Sequence, residues 1–372
     1  MTGGTSDVLV IGGGLHGLSA ALHLARDGAV VSLVERDHVG RHASGVNAGG
    51  VRRLGRDFAE IPLAEAALAD WSRMGELVGD DCGFKPAGQV KIAESEAELS
   101  GLRERAEALR RSGYEHEEII DTADLRKLVP SAAHYCAGAM VVHGDGYADP
   151  YRTCVAFRRA AEAAGVIVYE GVHVVKLTQT GQVWSIETAD GVFEASKVLN
   201  AAGGWGAGIA CALGEPVPVR PAAYQMIVTE RVERFVEPVI GLAGRKLSLK
   251  QMDNGTVVIG GGYKGIVNVD SGLTTLDTSG LANSAATATK VFPVLSKARM
   301  VRAWAGIDGE AADGIPVIGP SQKYEGLFHA FGFSGHGFQL VPAVGRALAG
   351  LIGNGQSNLP LDPFSPARFY KD

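Results

Sequence analysis

Residues 7–36, "DVLVIGGGLHGLSAALHLARDGAVVSLVER", constrain the fold more than any other stretch of the chain. The apolar run at 7–11 reads as a strand. Leu18, Ala21, Leu22 and Ala25 then recur at helical spacing, Gly28 supplies the stop, and a second strand follows at 30–34. Between strand and helix, Gly12, Gly14 and Gly17 fill the positions G-x-G-x-x-G. Glycine there permits the tight turn, close approach of backbone to a pyrophosphate, and tight helix-on-strand packing, with the helix N-terminus facing the phosphate charge. Leu15 and His16 occupy the intervening positions and so also lie at the ligand. Glu35 closes the second strand, where a carboxylate can accept hydrogen bonds from a ribose hydroxyl, and Arg36 stands beside it. The unit requires a parallel sheet, hence an α/β fold, and it accepts either NAD or FAD.

The remaining bulk properties narrow the partners. At 372 residues the chain can bury a large core, and its 51 glycines are about twice the usual share of ~7%. They cluster between apolar runs, where turns and close backbone approach need them. A net charge of -6 without any basic block argues against nucleic acid and anionic membranes. The N-terminal "MTGGTSDVLVIGG" has no leader character, and no apolar run reaches the ~18 residues that a membrane span needs. Cys82, Cys136, Cys154 and Cys211 are scattered and form no C-x-x-C pair, so no metal site is expected and a reducing cytoplasm fits.

A second segment of small residues, "HVGRHASGVNAGGVRRLG" at 38–55, follows the second strand. A nicotinamide domain has no reason to carry it. With "DLRKLVPSA" at 124–132, "KVLNAAGGWG" at 197–206, "AWAGIDGEAADGIPVIGP" and "GLFHAFGFSGHGFQLVP", it resembles the FAD-dependent D-amino-acid oxidase superfamily, which contains glycine and sarcosine oxidases, over nearly the whole chain. The resemblance implies that Ala43, Ser44, Asn47, Ala48, Gly49 and Gly50 run along the flavin, and that the Val174 backbone meets the adenine. It also places Ala202, Gly203 and Trp205 at the cofactor, Trp205 having core packing as its other reading. Relatives that attach flavin covalently use a His where this chain has Asn47, or a Cys near the "WAG" segment, where none stands. FAD is therefore expected to be noncovalent.

The C-terminal "FGFSGHGFQLVPAVGRALAGLI" at 331–352 has Pro342 in a first helical turn and a buried face at Val341, Val344, Leu348, Leu351 and Ile352. The resemblance puts Gly332, Phe333, Ser334, Gly335, His336, Gly337 and Phe338 at the flavin ring, where N–H groups and the helix dipole would stabilise negative charge. His336 either acts there directly or holds the loop. The architecture implied is a Rossmann-like FAD-binding domain, at 1–80, 146–218 and 300–372. It is interleaved with an α+β substrate domain on a mainly antiparallel sheet, at 81–145 and 219–299. "DNG" at 253–255 is a hairpin signal in the latter, and 94–112 reads as an exposed amphipathic helix ended by Gly113.

The resemblance implies oxidation of an amine at its α-carbon by hydride transfer to flavin N5. Where many relatives hold the substrate carboxylate with an arginine, this chain has Asp308, and a second family arginine aligns near Gly335. An acid there would repel a carboxylate, so Asp308 is either a solvated loop residue or a receptor for a cationic group. The replacement candidates are Arg52 and Arg53, directly after the flavin loop, with Lys250, Lys264 and Tyr224. In some oxidases of the superfamily a lysine near the flavin promotes reaction with oxygen, and Lys250 or Lys264 is a candidate for that role too. "NAGGVRR" and "LKQMDNGTVVIGGG" most resemble the flavin β-subunits of opine oxidases, heteromeric proline or hydroxyproline dehydrogenases and hydrogen cyanide synthase. That implies small or N-substituted amino-acid substrates, and partners comprising a second flavin subunit and a small iron-sulfur subunit. Two alternatives stay open: a 2-hydroxy acid or polyol phosphate dehydrogenase, and a flavin-binding subunit without turnover.

Overall fold

The strand expected at 7–11 runs Thr5–Ile11 and lies at the centre of a sheet whose core strands are parallel. The computed structural model describes residues 4–370. Residues 1–3, which open the stretch read for a leader, and residues 371–372 lie outside it. Thr5–Ile11 pairs with Val31–Glu35 on one side and with Gly191–Asn200 on the other. Ile167–Glu170 and Leu327–Phe331 extend the two flanks in parallel, while Val317–Pro320 closes one edge antiparallel. An antiparallel hairpin, Val174–Thr180 and Val183–Thr188, is laid against Gly191–Asn200. Val174 opens that hairpin, and Val172 precedes it.

Helix Leu15–Arg26 and helix Val341–Asn354 pack on the same face of this sheet. Leu18, Leu22, Val344 and Leu348 are fully buried between them. Their approach is close enough that a Cβ on Gly345 would sit 2.0 Å from Ser19 Oγ. Glycine is thus needed there for packing. Helix Pro150–Ala163 is N-capped by Asp149, whose Oδ1 accepts from Arg152 N at 2.9 Å, with Pro150 at the first helical position.

A second sheet of ten mostly antiparallel strands follows the order Leu273–Thr275, Lys264–Asn268, Val219–Thr229, Val257–Gly260, Ser248–Gln251, Val239–Leu242, Gln89–Ala93, Gly138–Val142 and Glu118–Asp121, the tenth strand lying beside Val219–Thr229. Asp253, Asn254 and Gly255 form the turn between Ser248–Gln251 and Val257–Gly260, with Gly255 at φ +86°. Helix Glu96–Arg111 buries Leu99, Leu102, Ala106 and Leu109 and exposes its charges. The tenth strand is Met300–Ala311, which pairs along its length with Val219–Thr229. The boundary expected at 300 therefore falls at the start of a strand of the second sheet; the chain returns to the first only at Val317–Pro320. "WAGID" at 304–308 stands near the start of the 300–372 segment expected to belong to the cofactor domain, but its pairing partners lie some eighty residues earlier, in Val219–Thr229. No helix among the described residues is long and apolar enough to cross a membrane, and no group of three or more metal-ligating side chains is found among them.

Candidate functional site

A cavity of about 650 Å³ opens where the carboxyl ends of the parallel strands face the second sheet. Crevices at that end of a parallel sheet are where such folds bind ligands. Ile11 and Gly12, Val34 and Glu35, and Ala201 and Ala202 line it from the first sheet, and Gln89, Lys91, Tyr224 and Met226 from the second.

The dinucleotide turn fits its group on steric grounds. Gly12 has φ +112°, and a Cβ there would lie 2.4 Å from Ala201 O; a Cβ on Gly17 would lie 2.1 Å from Gly12 O. Helix Leu15–Arg26 has Gly14 as N-cap, which offers no side chain to its first turn, so the first-turn N–H groups other than that of Leu15 are left for an anion. Ser44 Oγ accepts from Leu15 N at 2.9 Å, tying the second small-residue segment to the turn. Glu35 Oε2 accepts from Gly13 N at 2.7 Å and Oε1 from Asp37 N at 2.9 Å, while burial pushes its carboxyl above the usual range. A glycine trough with donors at one end and a fixed carboxylate at the other matches the pyrophosphate and ribose of a dinucleotide.

The segment 43–50 is held by its own asparagine. Asn47 Nδ2 donates to Ala43 O at 2.9 Å and Ser44 O at 2.8 Å, and its Oδ1 accepts from Gly49 N at 2.7 Å. Ala48, Gly49 and Gly50 thereby face the cavity. Lys250 lies behind this loop and outside the cavity lining: a Cβ on Gly49 would be 2.9 Å from its Nζ, which sits 4.5 Å from the centre of the Tyr147 ring. Burial pulls its ammonium down to about 8 from 10.5. A folded-state value below the unfolded one means that the unfolded chain holds more protons between those limits, so stability rises with pH across that window. Lys250→Met is expected to raise the denaturation midpoint at pH 7. That difference should close as pH climbs from about 8 towards 10.5; a constant difference across paired melts would contradict a buried ammonium.

Lys264 is paired with Glu310, which also accepts from Tyr224 Oη at 3.3 Å. Burial, with Glu310 and Asp308 nearby, pushes the Tyr224 phenol up, so it stays protonated. Trp205 lines the cavity, but its ring carries the Arg36 guanidinium at 4.5 Å and its Nε1 donates to Val269 O at 2.9 Å. With Arg36 Nη2, which donates to Asp270 O at 3.2 Å, it ties the turn between Lys264–Asn268 and Leu273–Thr275 to the end of the first sheet's strand Val31–Glu35. Val174 lies at the cavity edge beside Val172 and His173.

The second glycine turn is built from contacts that sequence spacing does not reveal. Phe333 stacks on His16 with ring centroids 3.6 Å apart and planes 3° off parallel, joining the two glycine turns directly. Burial takes His16 down to about 3, so it is neutral. Ser334, at φ +55°, accepts from Ala311 N at 3.0 Å through Oγ, and its own N donates to Gly309 O at 2.8 Å. Asp308 is not a solvated loop residue. Its Oδ2 accepts from Gly335 N at 2.7 Å and its Oδ1 from Gly309 N at 2.8 Å, and burial pushes its carboxyl up. The Gly335 N–H expected to face the ring is thus used to fix the loop.

His336 Nε2 lies 3.1 Å from Gly314 O, which can only accept, so that nitrogen carries a proton. Nδ1 lies 3.0 Å from Arg56 Nη1 and 3.2 Å from Glu60 Oε1. A neutral ring accepts from the guanidinium there, and a protonated one donates to the carboxylate. In either form both nitrogens are occupied by protein, so His336 holds the loop. Arg56, Glu60 and Gln339 complete that support: Arg56 Nη2 donates to Gln339 Oε1 at 3.0 Å, and Arg56 Nη1 lies 3.5 Å from Glu60 Oε1. None of the three stands out in the sequence.

Arg52 lines the cavity, with Nη1 donating to Leu54 O at 2.5 Å. No carboxylate pairs with it among the described residues, whereas Arg53 pairs with Asp145 at 3.4 Å. Gln89 and Lys91, which no motif marks in the sequence, also line the cavity. Their signal was the polar-apolar alternation of "QVKIA", which sends both to one face of a strand.

Comparison with known proteins fits this geometry. A family model described as FAD dependent oxidoreductase, DAO, matches residues 7–351. An opine oxidase subunit of Rhizobium meliloti is 28% identical, over 98% of this chain and 97% of that protein. Glycine oxidase of Geobacillus kaustophilus is 27% identical over 97% of each. The crystal structure of L-proline dehydrogenase from P. horikoshii superposes with a TM-score of 0.91 and 26% identity, covering 99% of this chain and 98% of that one.

Proposed function

This chain belongs to the FAD dependent oxidoreductase family, and from that premise we propose that it oxidises the α-carbon C–N bond of a small or N-substituted amino acid. Opines, proline and similar secondary amines are the substrate class. The observation that carries the reading is Arg52, a guanidinium on the cavity wall without a carboxylate partner among the described residues. A partly buried, unpaired cation beside a cofactor trough calls for an anion from the ligand. The names of the relatives, which include glycine oxidase and an opine oxidase subunit, support an amino-acid substrate.

Bound FAD supplies a two-electron acceptor. The protein's own part is to bind and orient. Arg52 fixes the carboxylate and so sets the α-carbon against the cofactor, and the protonated Tyr224 offers a hydroxyl on the second-sheet side. Asn47, Asp308 and His336 hold the two loops that shape the wall. The α C–H leaves with its electron pair, the nitrogen lone pair forms the C=N bond, and water then releases an oxo compound and an amine or ammonia. No side-chain base is needed when the substrate nitrogen is already neutral. Relatives named as subunits, those of opine oxidase and hydrogen cyanide synthase, support a role as the catalytic subunit of a heteromeric complex.

Product identification tests the reading. Holoprotein supplied with an artificial acceptor and N-methylated or cyclic amino acids should release stoichiometric oxo compound and amine. Turnover confined to 2-hydroxy acids would place the activity in another class.

A further inference from the structure

The strand Gln89–Ala93 divides its side chains between two environments. Val90 and Ile92 are fully buried in the core of the second sheet, so Gln89 and Lys91 project from the opposite face, which is the cavity wall. Gln89 is 8% exposed, and its Oε1 has no partner among the described residues. The Lys91 ammonium pairs with no carboxylate among them either. It converges with Arg52 on one point: a Cβ on Gly55 would lie 3.3 Å from Lys91 Nζ and 3.8 Å from Arg52 Nη1.

The charges around these two are already matched. Arg53 pairs with Asp145 at 3.4 Å, Arg56 with Glu60 at 3.5 Å and Arg105 with Glu117 at 2.9 Å. Arg52 and Lys91 are left over. Burial pulls the Lys91 ammonium down, and repulsion from Arg52 adds to it. A single carboxylate would leave one of two adjacent, poorly solvated cations without a counter-charge.

We propose that the substrate is an amine bearing two carboxylates, one held by Arg52 and the second by Lys91, with the amide of Gln89 bonding to the same ligand. The proposal rests on the amine-oxidising reading and narrows it to N-(carboxyalkyl) amino acids. Lys91 is on this account a specificity residue.

Binding of dead-end analogues tests the proposal without turnover. In thiodiacetate and (methylthio)acetate a sulfur replaces the amine, so neither is oxidised by loss of hydride next to nitrogen, and they differ by one carboxylate. Each is titrated into holoprotein and its Kd read from the perturbation of the visible flavin spectrum. Thiodiacetate is expected to bind about tenfold or more tighter. Lys91→Met should shrink that ratio at least about tenfold, and Lys91→Arg should largely keep it. A wild-type ratio at or below one overturns the proposal, and needs no variant. So does a Lys91→Met protein that weakens both analogues by the same factor, since both cations would then clamp one carboxylate. Failure of the amine reading shows separately, in the identity of the turnover product.

Discussion

Arg52→Met is expected to retain its flavin and lose most of its affinity for carboxylate substrates. Methionine keeps the aliphatic stem but removes the charge, and truncating one partner of a buried charge pair costs about 2–5 kcal/mol. Half-saturation should therefore rise roughly 30-fold to more than 1,000-fold. Arg52→Lys should recover part of the loss, because an ammonium keeps the charge without the planar fork. Arg53→Met is the control. Its guanidinium pairs with Asp145, so removal should lower thermal stability without a selective effect on substrate. Steady-state kinetics beside a flavin-to-protein ratio separates these outcomes; equal kinetic effects at 52 and 53 would remove Arg52 from the site.

The second large effect is expected at Gly12. A side chain there meets Ala201 O at 2.4 Å and Ala201 C at 2.8 Å, both backbone, and must also adopt φ +112°. Neither neighbour can yield without shifting the strand that carries Asn200. Gly12→Val should leave less than about a tenth of the wild-type flavin in the purified protein, or move the chain to the insoluble fraction, since strain and overpacking add. Gly28→Ala makes the contrast. Gly28 also has positive φ, +94°, but nothing lies within 4 Å of where its Cβ would stand, so that variant should lose modest stability and keep its flavin. Flavin absorbance per protein in the two soluble fractions checks the pair.

How much of this was legible in the sequence depends on how local each signal is. The first glycine turn, its helix and Glu35 lie within thirty residues and obey one periodicity, so they could be read directly. So could the cap at Asp149 and Pro150 and the hairpin at Asp253, Asn254 and Gly255, each carried by a few neighbouring residues. Met300–Ala311 could not be assigned to its sheet, because strand partners are chosen by packing across the fold. Asp308 looked like a misplaced acid in a substrate pocket. Its role became visible only with Gly335 N at 2.7 Å, twenty-seven residues on. Likewise, His336 is held by Arg56, 280 residues earlier in the chain. Lys91 sits in an ordinary alternating strand, and only the pairing of every nearby cation except Arg52 singles it out.

Turnover depends on Arg52 presenting the α-carbon of an amino acid to bound FAD. Anaerobic mixing of the purified holoprotein with N-(carboxyalkyl) amino acids, cyclic secondary amino acids and the matching 2-hydroxy acids, followed at the flavin absorbance maximum, tests it most directly. Rapid, complete bleaching by at least one of the amines is expected, with none by the hydroxy acids and a rate at low substrate that collapses in Arg52→Met. Full flavin content with no bleaching by any amine, or bleaching indifferent to Arg52, would contradict it.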